Sequence, residues 1–297
     1  MNHYNGKTAV ISGGAEGIGL SMADALGEQG MNLLLADINE AKLAEAYTDL
    51  SAKGYSVSTI KMDVTSPADW QATADKALAE FGKIHMIINN AGVASAPGPI
   101  EKTNHSDWRW VLDVNLMGVI YGAEAMIPYI KEHGEGGWMI NTASMAGMQG
   151  VPYAGSYTAT KVAVVGMSEA WAAELSKHKI HVSVLCPAFV QTRIHLSGRN
   201  RQSEYVNTKA KQTEQSQAIN KNTKIAAKEL VENGIPVEIV GKRVVEALNN
   251  KELYIFTHPS HRSTLQERAR RIDDAFERAA QSALLKDVKD DGPVDFL

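Results

Sequence analysis

The stretch Gly13-Gly14-Ala15-Glu16-Gly17-Ile18-Gly19 limits the fold of this chain more than any other. It follows a short β-branched run, Thr8 to Ser12, and precedes a helical pattern from Leu20 to about Gln29. A buried strand, a glycine turn and a helix in that order bring backbone close to a phosphate. Glycine accepts the tight turn and has no Cβ to hold the ligand away. The free N–H groups at the start of the helix then face the anion. The spacing Gly13-x3-Gly17-x-Gly19 differs from the commoner G-x-G-x-x-G, and a purely structural turn is the competing reading. The rest of the chain decides between them.

Beyond this unit, short apolar runs alternate with helical patterns. Strands are predicted at Met31 to Ala36, Ser56 to Met62, Ile84 to Ile88, Trp138 to Thr142, Val182 to Cys186 and Leu253 to Thr257. Helices are predicted from the Ser66-Pro67 pair to Phe81, from Ser106 to Leu116 and onward to Lys131, from Tyr157 to His178, from Pro236 to Leu248 and from Arg262 to Leu285. This alternation specifies an α/β fold, a Rossmann-like doubly wound parallel sheet with helices on both faces and ligands at the strand C-terminal ends. One domain is expected over residues 1–297. It comprises a cofactor-binding and catalytic core over 5–192, a polar segment over 193–235, a helix-strand-helix over 236–285 and a tail over 286–297. The polar segment reads either as a substrate loop or lid, or as chain without fixed structure.

With 44% hydrophobic residues in 297, the chain has ample material for a core. A net charge of −4 and a pI of about 6.2 leave no basic excess to attract nucleic acid. No apolar run approaches the ~20 residues of a membrane span, and the N-terminus lacks the apolar core of a signal peptide. The expectation is a cytoplasmic protein with neither nucleic acid nor membrane as partner. The lone cysteine, Cys186, excludes an internal disulfide framework, fits a reducing compartment and reads as a buried thiol ahead of Pro187. His258 and His261 straddle Pro259-Ser260, which is not a helical ligand pair, and no metal is expected.

Candidate chemistry gathers at the predicted strand ends. Tyr157 and Lys161 stand four apart at the start of a helix, on one face, so an ammonium can lie beneath a phenol. A free phenol with a pKa near ~10 is a poor base at neutral pH, and a neighbouring cation favours the phenolate. Ser144, thirteen positions before Tyr157, ends a strand, where its hydroxyl can hydrogen-bond a substrate oxygen. Asn115 lies inside a helical pattern, either as a satisfied core amide or as the holder of a water linked to Lys161. Asp37 ends the second strand, eighteen positions past Gly19. A carboxylate there accepts hydrogen bonds from ribose hydroxyls and repels a 2′-phosphate, although capping the helix near Glu40 is an alternative. Glu16 adds a second negative charge. Both favour NAD over NADP. Met148 and Tyr153, between Ser144 and Tyr157, would line a substrate pocket by position.

In these residues the chain resembles the classical short-chain dehydrogenase/reductase family. The likeness spans about residues 5 to 192 and the last strand. It rests on Gly13/Gly17/Gly19, Asp63, Asn89-Asn90-Ala91-Gly92, Asn115, Ser144, Tyr157 and Lys161. Ser12 and Ala188 depart mildly from the family's Thr and Gly. The resemblance implies NAD(H)-dependent interconversion of a secondary alcohol and a ketone, with Tyr157 as general acid/base, Lys161 tuning it and binding the nicotinamide ribose, Ser144 positioning the substrate and Asn115 anchoring a water. It also implies cofactor contacts at Ile18, Asp37, Asp63, Val64, Asn90, Val190 and Thr192, and a homodimer or homotetramer. Leu253-Tyr254-Ile255-Phe256-Thr257-His258-Pro259 and the Pro99 to Thr103 stretch resemble a bacterial subgroup that includes NAD-dependent dehydrogenases of benzylic alcohols in aryl ethers. An apolar or aromatic substrate is the first expectation. A 3-oxoacyl thioester, a sugar or a polyol is the alternative, the thioester favoured by a basic rim of Lys209, Lys211, Lys221, Lys224, Arg199 and Arg201. A nucleotide-sensing protein without turnover is a remote third.

Overall fold

The computed structural model describes residues 3–94, 97–206, 228–289 and 292, in two compact units, Met1–Thr257 and His258–Leu297. In the first unit seven strands form one parallel sheet: β1 (Thr8–Ser12), β2 (Asn32–Asp37), β3 (Val57–Lys61), β4 (Met86–Asn89), β5 (Gly137–Thr142), β6 (Ile180–Cys186) and β7 (Tyr254–Phe256). Their order is β3-β2-β1-β4-β5-β6-β7. The chain winds outward from β1 in one direction and from β4 in the other. Loops on either side of that switch point diverge and leave a crevice at the strand C-terminal ends.

Successive strand side chains point to opposite faces, and both faces are covered. Ala9, Ile11, Leu33 and Leu35 pack against Met22 and Leu26 of α1 (Gly17–Glu28) and Val240 and Val244 of α8 (Val237–Asn249). Val10, Leu34 and Ala36 face the other way, toward Trp70 and Ala74 of α3 (Pro67–Phe81) and Met126 and Ile130 of α5 (Gly118–Glu132). Burial on both sides explains why these strands read as continuous apolar runs.

Helix starts are set by local chemistry. The Asn39 Oδ1 accepts the Lys42 N–H at 3.1 Å to cap α2 (Glu40–Ala52), and the Ser66 Oγ accepts the Asp69 N–H at 3.2 Å ahead of Pro67. The Asn104 Oδ1 caps α4 (His105–Leu112) through the Asp107 N–H at 2.8 Å. The predicted Ser106 to Leu116 helix is broken: α4 ends at Leu112 and a π turn, Asp113–Met117, joins it to α5. The run His105–Glu132 holds an 18-residue window of mean hydropathy 1.3, and by length and composition it is apolar enough to cross a membrane, contrary to expectation. Half of its most apolar window is buried, and Trp110, Val111, Val114, Met126, Ile127 and Ile130 of the run belong to the core on this face of the sheet.

A short α6 (Met145–Met148) and the long α7 (Gly155–Ser176) complete this half of the sheet. Of the polar segment over 193–235, Ile194–Asn200 and Ser203–Tyr205 form 3-10 turns. The stretch 207–227, with Lys209, Lys211, Lys221 and Lys224, lies outside the described residues. The second unit holds a 3-10 turn, Pro259–His261, and α9 (Arg262–Ala280), which ends before the expected Leu285 and has no buried residue.

Candidate active site

The glycine turn needs its glycines. Gly13 and Gly17 have φ of +62° and +59°, a region L-residues avoid. A Cβ on Gly13 would meet Ala91 Cα at 2.8 Å, and one on Gly19 would meet the Gly13 carbonyl at 2.0 Å. No side chain caps the start of α1, and no acidic residue stands in its first turn. Its N–H groups and positive end of the helix dipole are therefore open to an anion. Thr192, beyond the end of β6, sits over this turn, its Cγ2 3.4 Å from where a Gly17 Cβ would be. Ile18 packs on the core face of α1, and Val190 is buried and bridges to Ile235.

Three side chains hold the turn. The Asp37 carboxylate accepts the Ala15 N–H at 3.3 Å and the Asn39 N–H at 3.0 Å. Burial raises its pKa and these backbone donors oppose the rise. Each oxygen keeps a lone pair for a further donor. The Asn90 amide donates to the carbonyls of Ser12 and Gly13, both at 3.1 Å. Ser12 Oγ accepts the N–H groups of Asn90 and Ala91 at 3.0 and 3.2 Å, so a hydroxyl at this position, Ser or Thr, is what the turn uses.

The chemical groups stand on the far side of the crevice. Lys161 is 3% exposed, and its ammonium donates to the Thr142 carbonyl at 2.7 Å. Its Nζ lies 5.6 Å from the centroid of the Tyr157 ring, one helical turn earlier in α7. Tyr157 keeps part of its surface exposed, while its hydroxyl lies inside the site and hydrogen-bonds with Ser144. Ser144 caps α6 through the Ala146 N–H at 3.1 Å, with its own hydroxyl directed to the Pro187 carbonyl at 3.4 Å. Burial pulls Lys161 down to about 8 and pushes Tyr157 above its ordinary 10, against its hydrogen bond with Ser144. The expectation that Lys161 lowers the phenol is not met here: the ammonium sits over the ring, and burial sets the direction.

Asn115 is fully buried in the π turn. Its Oδ1 accepts the Val93 N–H at 2.8 Å, and its amide donates to the Val93 carbonyl at 2.9 Å. A Cβ on Gly92 would stand 3.4 Å from Asn115 Oδ1 and 3.7 Å from Lys161 Nζ. The missing side chain thus leaves a gap between the two. Met148 is partly buried on α6, whereas Tyr153 is 67% exposed in a left-handed turn with φ +64°. Cys186 is buried, as expected, and its thiol is pushed up to about 12.

Several contacts had no signal in the sequence. Glu16 pairs with Arg193 at 3.4 Å and with Arg199. Its charge is offset, and only Asp37 remains of the two expected negative groups. Asp63 Oδ1 accepts from the Thr65 N–H at 2.9 Å, while its Oδ2 accepts the Gln202 amide at 2.8 Å. Val64 lies beside Gly118, 3.1 Å from where its Cβ would be. Ser197 Oγ accepts the Ala94 N–H at 2.9 Å. Residues 193–202 are thus fastened to the glycine turn and to the loops after β3 and β4. Arg201, one member of the expected basic rim, pairs with Asp107 at 2.5 Å and stacks 4.7 Å from the Trp110 ring.

Among the described residues, one group could hold a metal ion by proximity. His85, His133 and Glu135 bring their atoms within 4.8 Å. They stand at the opposite end of the sheet, before β4 and after α5. His133 Nε2 donates to the Ile84 carbonyl at 2.8 Å and its Nδ1 accepts the Glu135 N–H at 3.2 Å. Lys7 and Lys83 both hold Glu135. Burial pulls His85 down to about 4, so it is neutral at pH 7 and its Nδ1 accepts the Thr8 N–H at 3.1 Å.

A doubly wound sheet with an uncapped glycine turn at its switch point, facing a serine, a tyrosine and a buried lysine, is built as a nucleotide-dependent oxidoreductase. The chain belongs to the short-chain dehydrogenase/reductase family: residues 7–203 match its short chain dehydrogenase model. It is 34% identical over 92% of its length and 95% of the relative's to a CLA biosynthesis dehydrogenase/reductase of Lactiplantibacillus plantarum. It is 28% identical to a C alpha-dehydrogenase of Sphingobium sp., over 93% of this chain and 88% of that one. A short chain dehydrogenase/reductase from Burkholderia phymatum, solved in complex with NAD, superposes with a TM-score of 0.86 at 36% identity, covering 92% of this chain and 96% of that one.

Proposed function

We propose that the chain interconverts a secondary alcohol and a ketone with NAD(H), on an apolar or aromatic substrate. The observation that carries this reading is the buried ammonium of Lys161, held on the Thr142 carbonyl beside the Tyr157 phenol with Ser144 hydrogen-bonded to it. Burying a charge is costly, and a fold keeps one at a crevice where the chemistry uses it. The glycine turn, the open start of α1 and the Asp37 carboxylate fit a dinucleotide: a cradle that a Cβ would fill, an anion site and a ribose acceptor. The NAD complex of the Burkholderia protein supports the same choice of cofactor.

When bound, NAD(H) supplies the hydride acceptor or donor. The protein's part is to place and protonate the substrate oxygen. Ser144 donates to that oxygen and stabilises charge developing on it. Tyr157 takes the hydroxyl proton in oxidation and returns it in reduction. Lys161 binds the nicotinamide ribose and supplies positive charge next to the phenol. A water in the gap left by Gly92, between Asn115 and Lys161, gives the proton a path to solvent. The aryl-type substrate is supported by the likeness to the Sphingobium C alpha-dehydrogenase and by Met148 at the edge of the site.

Tyr157→Phe tests the assignment. Turnover should fall at least ~100-fold, within the ~10²–10⁴ typical of general acid–base catalysis, while NAD binding is kept. Unchanged turnover would refute the role of Tyr157.

A further inference from the structure

Helix α9 spans Arg262–Ala280, 19 residues or about 28 Å, and none of them is buried. Four of its charged residues pair with one another on one side. Arg270 bridges Glu267 at 2.8 Å and Asp274 at 3.1 Å, and Arg271 reaches Glu267 at 3.8 Å. On the opposite side Leu265, Ala269, Ile272, Phe276 and Ala279 recur at alternating spacings of four and three. That is the a/d seam of a two-stranded coiled coil. Ile272 is 43% and Phe276 72% exposed, so the seam has no cover within the unit.

The flanks name the occupant. Arg268 lies on one edge of the seam and Asp273, five positions later, on the other, so the two cannot meet within one helix. In a parallel, in-register pair the g position of each helix faces the following e position of its mate. Arg268 then meets Asp273 of the second copy, and the contact is made twice. A membrane surface would be met by basic flanks on both edges; here one edge is acidic.

We propose that α9 is a self-association helix that pairs in parallel with α9 of a second copy of this chain. The seam covers under three heptads, too short to hold an isolated helix pair firmly. Pairing over so short a seam is accordingly weak and concentration-dependent.

Cysteine substitution in the full-length protein reads the register directly, since the single native thiol, Cys186, is buried. Under oxidised glutathione, Ile272→Cys should give a disulfide-linked dimer on a non-reducing gel, and Asp274→Cys, on the outer face, should stay monomeric. In the Ile272→Cys background, adding Arg268→Asp should lower the linked fraction at least ~5-fold, and adding Asp273→Arg as well should restore it. Absence of a cross-link at 272, equal cross-linking at 272 and 274, or no rescue by the charge exchange would each overturn the proposal. So would co-sedimentation with phosphatidylserine vesicles that Ile272→Asp abolishes while the protein's solution mass stays the same.

Discussion

Lys161 carries an electrostatic cost of burial in the site. A drop in its pKa from 10.5 to about 8 means that the folded state holds its proton less tightly than the unfolded chain. The cost is fully present below pH 8, where both states are charged, and is about 3 kcal/mol. It is relieved as pH rises from 8 toward 10.5, where the folded state has already lost the proton. Lys161→Met should therefore abolish turnover yet raise the thermal midpoint at pH 7, with the advantage shrinking above pH 8; a lower midpoint at pH 7 would contradict this. At neutral pH the pair rests as phenol and ammonium, the state that gives a proton to a ketone. The kcat/KM for ketone reduction should be flat below about pH 8 and fall above it as Lys161 is neutralised, whereas alcohol oxidation should climb with pH. Tyr157, Lys161 and Ser144 could be read from the sequence because their spacing is local to one helix and one strand end. Gln202, Arg193 and Arg199 could not be. They meet Asp63 and Glu16 across more than a hundred residues, and nothing in their own neighbourhood records it.

At the scale of elements, the sequence fell short where tertiary packing overrides pattern. The strand β1 and the helix α3 begin and end as their residue patterns predict, because a strand buried on both faces and a Ser-Pro cap are strong local signals. The π turn was hidden, since one extra residue per turn leaves the apolar periodicity nearly intact. Tertiary packing also decides Gly122 of α5. A Cβ there would stand 2.1 Å from Asn89 Oδ1 and 2.8 Å from the Trp70 ring. Gly122→Ala should destabilise the fold by about 1–3 kcal/mol, seen in chemical unfolding, as expected for forcing a side chain into a packed core. Gly92→Ala is different in kind, because its Cβ would enter the gap between Asn115 and Lys161 at ordinary contact distances. It should lower kcat while leaving stability within about 0.5 kcal/mol. Equal losses of both would mean the gap has no part in turnover.

For the whole molecule, the sheet order brings together what the sequence scatters between Gly13 and Ser144: the turn after β1, the carboxylate at the end of β2, the amide after β4 and the hydroxyl after β5. Sheet class and crevice were legible because strands and helices alternate so regularly. The substrate was not, since residues 207–227 lie outside the described structure and Tyr153, expected in the pocket, is exposed. Cofactor preference now rests on Asp37 alone, the charge of Glu16 being taken up by two arginines. Asp37→Ala should bring the kcat/KM values for NAD and NADP together by at least ~10-fold, about 1.4 kcal/mol. An unchanged ratio would remove Asp37 from the ribose site. The most direct test of the whole account is reduction of NAD, with NADP run beside it, by the purified protein over a panel of aryl, alicyclic, steroid, polyol and 3-hydroxyacyl alcohols. The account predicts turnover of aryl or alicyclic secondary alcohols with NAD and little with NADP. Equal use of the two cofactors, or turnover confined to polyols and acyl thioesters, would contradict it.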